Sequence, residues 1–219
     1  MCFSVEADLA LGVAVGVVGV DALRHVSRPA QVPLAALPLV FAAHQLNEAF
    51  VWWGLEGTLS ATAARVAAWL YLLVAFSFPV LVPLAVALVE PDRARRRVMR
   101  AFGAVGAVVS AVLVAALVSG GPNASIQDLH ISYSVDVRYG SQLAAVYVLA
   151  TCGGLLASSD RRIVLFGVCN LVAVTVLGWF LMSGVISLWC AWAAVLSVLI
   201  AGYLRGPAPT AGTLRRATV

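Results

Sequence analysis

The chain has 219 residues, 62% of them hydrophobic and 11% charged, with a mean hydropathy of +0.98. A soluble domain carries about 25% charged residues, so the composition argues against a soluble globular protein and predicts an all-α integral membrane protein. Net charge is +4 and all fourteen basic residues are arginine, which excludes lysine Schiff-base chemistry and with it a retinal cofactor.

The arginines lie in short segments between apolar runs, where membrane topology explains them, so no nucleic-acid partner is expected. Cys2, Cys152, Cys169 and Cys190 show no CxxC spacing, which argues against a thiol-disulfide relay and a zinc ribbon. The first residues lack the basic stretch of a cleaved signal peptide, so the first apolar run is expected to persist as a helix.

Seven apolar runs follow in order, each near the ~20 residues needed to cross a bilayer. They cover residues 6–26, 31–53, 61–89, 98–119, 140–157, 163–182 and 185–204. The third contains Pro79 and Pro83, which predict a kink. The fourth is rich in Gly, Ala and Val; Gly103, Gly106, Ala107 and Ser110 predict a close helix approach. Asp21 is placed to pair with Arg24 or His25, and Asn170 to bond across helices.

Arg24, Arg28, Arg93, Arg95, Arg96, Arg97, Arg100, Arg161, Arg162, Arg205, Arg215 and Arg216 fall on one side of seven alternating spans. Arg65 and Arg138 fall on the other. The bias predicts a seven-transmembrane-helix bundle in the plasma membrane, N-terminus out and C-terminus in. Residues 1–205 form the membrane domain, and 206–219, with Pro207 and Pro209, form a disordered cytoplasmic tail. In the outer connection 120–141, Leu129, Ile131, Tyr133, Val135, Val137 and Tyr139 alternate with polar residues, the pattern of an extended lid.

The second run contains His44, Gln45, Asn47 and Glu48. At about 100° per residue, His44, Asn47 and Glu48 share a helical face, with Gln45 at its edge. Ionisable groups in a span cost roughly 2.5–3.5 kcal/mol each on insertion scales, so they imply a partner, a cavity or a metal. The opening Met1-Cys2-Phe3-Ser4, a Leu-Pro-Leu at 37–39, His44-Gln45-x-x-Glu48 and Trp52 together resemble an uncharacterised family of small multi-pass, mainly bacterial membrane proteins. That resemblance implies topology rather than chemistry. The span count and early histidine are also similar to those of membrane hydrolases of the alkaline ceramidase and adiponectin-receptor type. The seventh span has no His-x-x-x-His, which sets the chain apart from them.

Topology places Cys2, His44, Glu48, His130 and Cys190 towards one side of the membrane. Imidazole, thiolate and carboxylate form a ligand set for zinc, and imidazole with thiolate suits copper. The leading expectation is therefore a membrane-embedded metalloprotein, with Glu48 as a ligand or general base. A second is a transporter or small-ligand binder, for a small molecule or lipid, with Gln45, Asn47, Trp52 and Trp189 lining the cavity. A third is a structural protein whose polar side chains serve helix packing.

Overall fold

The computed structural model describes residues 4–127, 130–180 and 185–206; the side chains of 179, 180, 185–191 and 193 fall outside that description. The expected tail, from residue 207, lies outside it too. Each apolar run is a helix: α1 is Val5–Arg24, α2 Val32–Leu55, α3 Ala61–Val89, α4 Arg93–Gly120, α5 Gly140–Leu156, α6 Arg161–Phe180 and α7 Val185–Arg205. Side-chain caps set several starts. Ser4, Ser60 and Asp92 accept from the backbone N–H groups of Ala7, Ala63 and Arg95 at 3.3, 3.3 and 2.8 Å. The Asp92 cap draws the five arginines at 93–100 into α4, which starts ahead of its apolar run.

Four helical segments, Pro29–Leu55, Ala61–Val89, Arg93–Gly120 and Arg161–Gly178, are long and apolar enough to cross a membrane. α1 has the length but carries Glu6, Asp8, Asp21 and Arg24; α5 and the stretch of α7 from Ala194 are apolar but shorter. The exterior is apolar as well, with Val17, Val108 and Val118 67%, 66% and 66% exposed. Water penalises such a surface, whereas hydrocarbon does not.

The helices pack as a closed ring. α1 lies against α2 and α7, α3 against α2, α4 and α5, and α6 against α5 and α7. The end of the bundle where α1 and α3 begin and α2 finishes is the head end; the opposite end is the base. Trp52, Tyr71, Leu117 and Ile131 belong to the head-end core, and Leu34, Val86, Met99 and Ile163 to the base core.

α3 continues through both prolines. Proline at 79 removes the N–H that the Ala75 carbonyl would accept, and the Tyr147 hydroxyl of α5 donates to that carbonyl at 2.6 Å instead. α4 meets α3 at the same level: a Cβ on Gly106 would sit 2.0 Å from the Pro79 carbonyl oxygen. Ser110 Oγ also donates to the Phe76 carbonyl at 2.5 Å. Gly103, Gly106 and Ser110 thus serve the close approach expected of the stripe, whereas Ala107 is exposed.

Between α4 and α5 the chain forms an antiparallel hairpin, β1 (Asn123–Gln127) and β2 (His130–Ser134), with Asn123 opposite Ser134 and Gln127 opposite His130. β2 packs on α7 and β1 on α2. The extended reading holds for residues 130–134 and stops there, because Tyr139 at φ +63° turns the chain into α5. The partner strand, Asn-Ala-Ser-Ile-Gln, has too little apolar alternation to announce itself.

Candidate functional site

α2 has neighbours on several sides, and they divide its polar residues. On a helical wheel, Asn47 lies about 60° to one side of His44, with Glu48 and Gln45 about 40° and 100° to the other. Asn47 faces α3, where its Nδ2 donates to the Ala67 carbonyl at 2.8 Å. Gln45 faces α1, with Glu48 beside it on the same helix. Gln45 Nε2 donates to Asp8 Oδ1 and reaches Glu48 Oε2 at 3.5 Å, and Asp8, Gln45 and Glu48 are 0%, 2% and 0% exposed. An amide with two N–H donors between two carboxyls is a sound way to bury this trio. Asp8, from the first turns of α1, completes the seam and stood apart from the sequence-level site.

His44 points elsewhere. Its ring stacks on Tyr71 of α3 at 4.0 Å between centroids and meets Phe78 edge-on at 5.8 Å. Tyr71 stacks in turn on Tyr133 of β2 at 4.2 Å, so a column of three rings runs from α2 to the hairpin. His44 is 1% exposed and neither ring nitrogen has a hydrogen-bond partner among the described residues. It lines a cavity of about 240 Å³ between α2, α3, α5, α6 and α7, walled by Phe41, Val82, Leu155, Phe166 and Ile200 among others. Among the described residues, the lining carries no Asp, Glu or Arg. Its other polar side chains are occupied: Tyr147 with Ala75, Thr151 with the Tyr147 carbonyl at 2.8 Å, and Asn170 Nδ2 with Cys152 Sγ at 3.3 Å.

The remaining candidate positions are dispersed or undescribed. His130 is 8% exposed on β2, where it faces Gln127 across the ladder. Trp52 is 5% exposed in the head-end core. Cys2 and the side chains of Trp189 and Cys190 lie outside the described residues. Among the described residues, no group of three or more His, Cys, Asp or Glu side chains is arranged to hold a metal ion. Cys152 and Cys169 are free thiols.

The base carries a second polar assembly. Glu90, 2% exposed between α3 and α4, accepts from the Ser158 hydroxyl at 3.0 Å and from the Ser159 N–H and hydroxyl at 2.9 and 2.6 Å. Burial pushes its carboxyl pKa up, but the Ser159, Asp92 and Ser158 donors outweigh burial and hold it below the ordinary value. Arg95 donates to the Ala157 and Ser158 carbonyls at 3.1 and 3.0 Å, pinning α4 to the same turn. Asp21, expected to pair within its own helix, makes its closest ion pair with Arg205 of α7 at 2.8 Å; His25 stands 3.7 Å away.

A ring of helices, with four segments long and apolar enough to cross a membrane, a buried polar seam and a cavity between the helices, is a helical architecture suited to a lipid surround. The chain belongs to a family of unknown function, DUF6629, which matches residues 1–213. No curated protein and no solved structure matches it.

Proposed function

We propose that this protein is a multi-pass plasma-membrane protein, with seven spans, N-terminus out and C-terminus in, that binds a small apolar molecule in its central cavity. The observation that carries this reading is His44. A buried imidazole without partners costs roughly 1–3 kcal/mol, and here it faces an apolar cavity with no charged wall residue among the described residues. Ligand pockets combine such walls with a few placed polar groups, in volumes of roughly 300–1,000 Å³. At about 240 Å³, the cavity calls for a slim occupant. Asn47 bonds to α3 and Gln45 to Asp8 of α1 and towards Glu48, and none of the three lines the cavity, which leaves His44 as the ligand's polar contact.

The test is photolabelling of purified protein with a diazirine-bearing alkane, read by peptide mass spectrometry. Labels are expected at cavity residues such as Val82, Leu155 and Phe166, and are expected to disappear in Ala144→Trp, which fills the space. Labels confined to outward positions such as Val108 and Val172, and unchanged in that variant, would overturn the reading.

Elemental analysis of wild type beside His44→Ala and Glu48→Ala separates a ligand from a metal. Trace metal, equal in all three, is expected. Near-stoichiometric zinc or copper that disappears in the variants would replace this reading with a metal centre, whose further ligands would be sought at Cys2, His130 and Cys190.

A further inference from the structure

Resting on the ligand-binding reading, we infer that the occupant is an uncharged single-chain amphiphile with a hydroxyl head, held by His44, its tail running towards the base. Three features lead there. The cavity follows α5 from Gly140 to Leu155, fifteen residues or about 22 Å of helix at 1.5 Å per residue. About 240 Å³ drawn out over that length is a channel for one chain rather than two. Along α2 the lining positions are Leu34, Leu37, Phe41 and His44, so the imidazole marks one end of an apolar track of about 15 Å. Towards the base, Val86 and Ile163 line it with aliphatic side chains.

The head group follows from charge and donor count. Burying an ion without a partner is prohibitive, and the described lining residues include no Asp, Glu or Arg, so carboxylates, sulfates and ammonium heads are disfavoured. A neutral imidazole offers one N–H donor and one acceptor nitrogen, and neither is used among the described residues. A hydroxyl both donates and accepts, so it satisfies whichever nitrogen faces the cavity. A carbonyl can only accept and matches one tautomer alone. Free long-chain alcohols and monoacylglycerols share this hydroxyl chemistry.

The experiment is competition against the diazirine-alkane label, in a detergent without alkyl chains, by dodecanol, monododecanoylglycerol, methyl dodecanoate, sodium dodecanoate and dodecane. Dodecanol or the glyceride is expected to displace the label at about five- to tenfold lower concentration than dodecane, the yield of one hydrogen bond. Dodecanoate is expected to compete no better than dodecane. Whichever of the two hydroxyl compounds competes more strongly identifies the source. His44→Phe keeps a ring to stack on Tyr71 but removes both nitrogens; it is expected to fold, to label in the cavity, and to lose the hydroxyl preference. His44→Gln restores a donor and an acceptor and is expected to recover part of it. Cavity labelling with equal competition by alcohol and alkane, or with stronger competition by ester or carboxylate, would overturn the hydroxyl assignment while leaving the cavity reading intact. Failure of the alkane itself to label the cavity would overturn that underlying reading instead.

Discussion

Glu90 is buried as a carboxylate because hydroxyl and backbone N–H donors meet its side-chain oxygens, while the Arg96 guanidinium donates to its backbone carbonyl. Its oxygens take hydrogen bonds from Ser158 and Ser159 across the base, so the charge is solvated by hydroxyls and a backbone N–H. Its folded pKa lies below the ordinary value, so ionised Glu90 stabilises the fold above the unfolded pKa of about 4.3. That contribution is lost as pH falls through the folded value. Glu90→Gln is therefore expected to cost roughly 1–3 kcal/mol at pH 7, with the gap to wild type closing below about pH 4. Thermal melts in detergent across that range check it, and a gap independent of pH would contradict the ionised-carboxylate account. The sequence shows Glu90-Pro91-Asp92 and Ser158-Ser159-Asp160 as two unremarkable turns 68 residues apart. Nothing local says that one solvates the other. The same limit applies to His44 and Glu48: helical spacing put both on one side of α2, but which neighbour occupies each part of that side is a tertiary fact.

At the scale of elements, the helix positions were legible and their contacts only partly so. Apolar runs of bilayer length and the Gly103–Gly106 stripe are local signals, and they lead to α1–α7 and to the α3–α4 contact. The effect of Pro79 was only half legible, because the hydroxyl that takes over its carbonyl comes from Tyr147 on another helix. Tyr147→Phe is expected to strand the Ala75 carbonyl and cost roughly 1–3 kcal/mol. Pro79→Ala returns a backbone donor to that carbonyl, so the double variant should lose much less than the sum of the two single changes. Additive losses in a double-mutant cycle would refute this coupling. Gly106→Ala forces a methyl group onto the Pro79 carbonyl and is expected to destabilise by about 1–3 kcal/mol. Gly178→Ala in α6 meets nothing within 4 Å and should be neutral or slightly stabilising, so equal losses at the two glycines would argue against a close α3–α4 contact.

At the scale of the whole molecule, the charges sort between the two ends. The base holds Arg24, Arg28, Arg93, Arg95, Arg96, Arg97, Arg100, Arg161, Arg162 and Arg205, whereas Arg65 and Arg138 lie at the head end with the hairpin. Contacts tie the basic end together, through Arg205 to Asp21 and Arg95 to the α5–α6 turn. All these arginines therefore share one side only if every helix traverses the bilayer. Short loops rich in arginine stay on the cytoplasmic side, so the base should face the cytoplasm and the hairpin the exterior. This extends to α1, whose carboxyls keep it from qualifying as a span on composition, because Asp8 is sheltered by Gln45 of α2 and Asp21 is paired with Arg205. In a variant lacking the four native cysteines, Ser125→Cys on β1 is expected to react with a membrane-impermeant maleimide in intact cells. Ala94→Cys at the start of α4 should react only after lysis; both positions are exposed. The reverse pattern would invert the orientation. Labelling of both from one side would mean that α4 does not cross, and with it the seven-span bundle and the membrane-embedded cavity would fall.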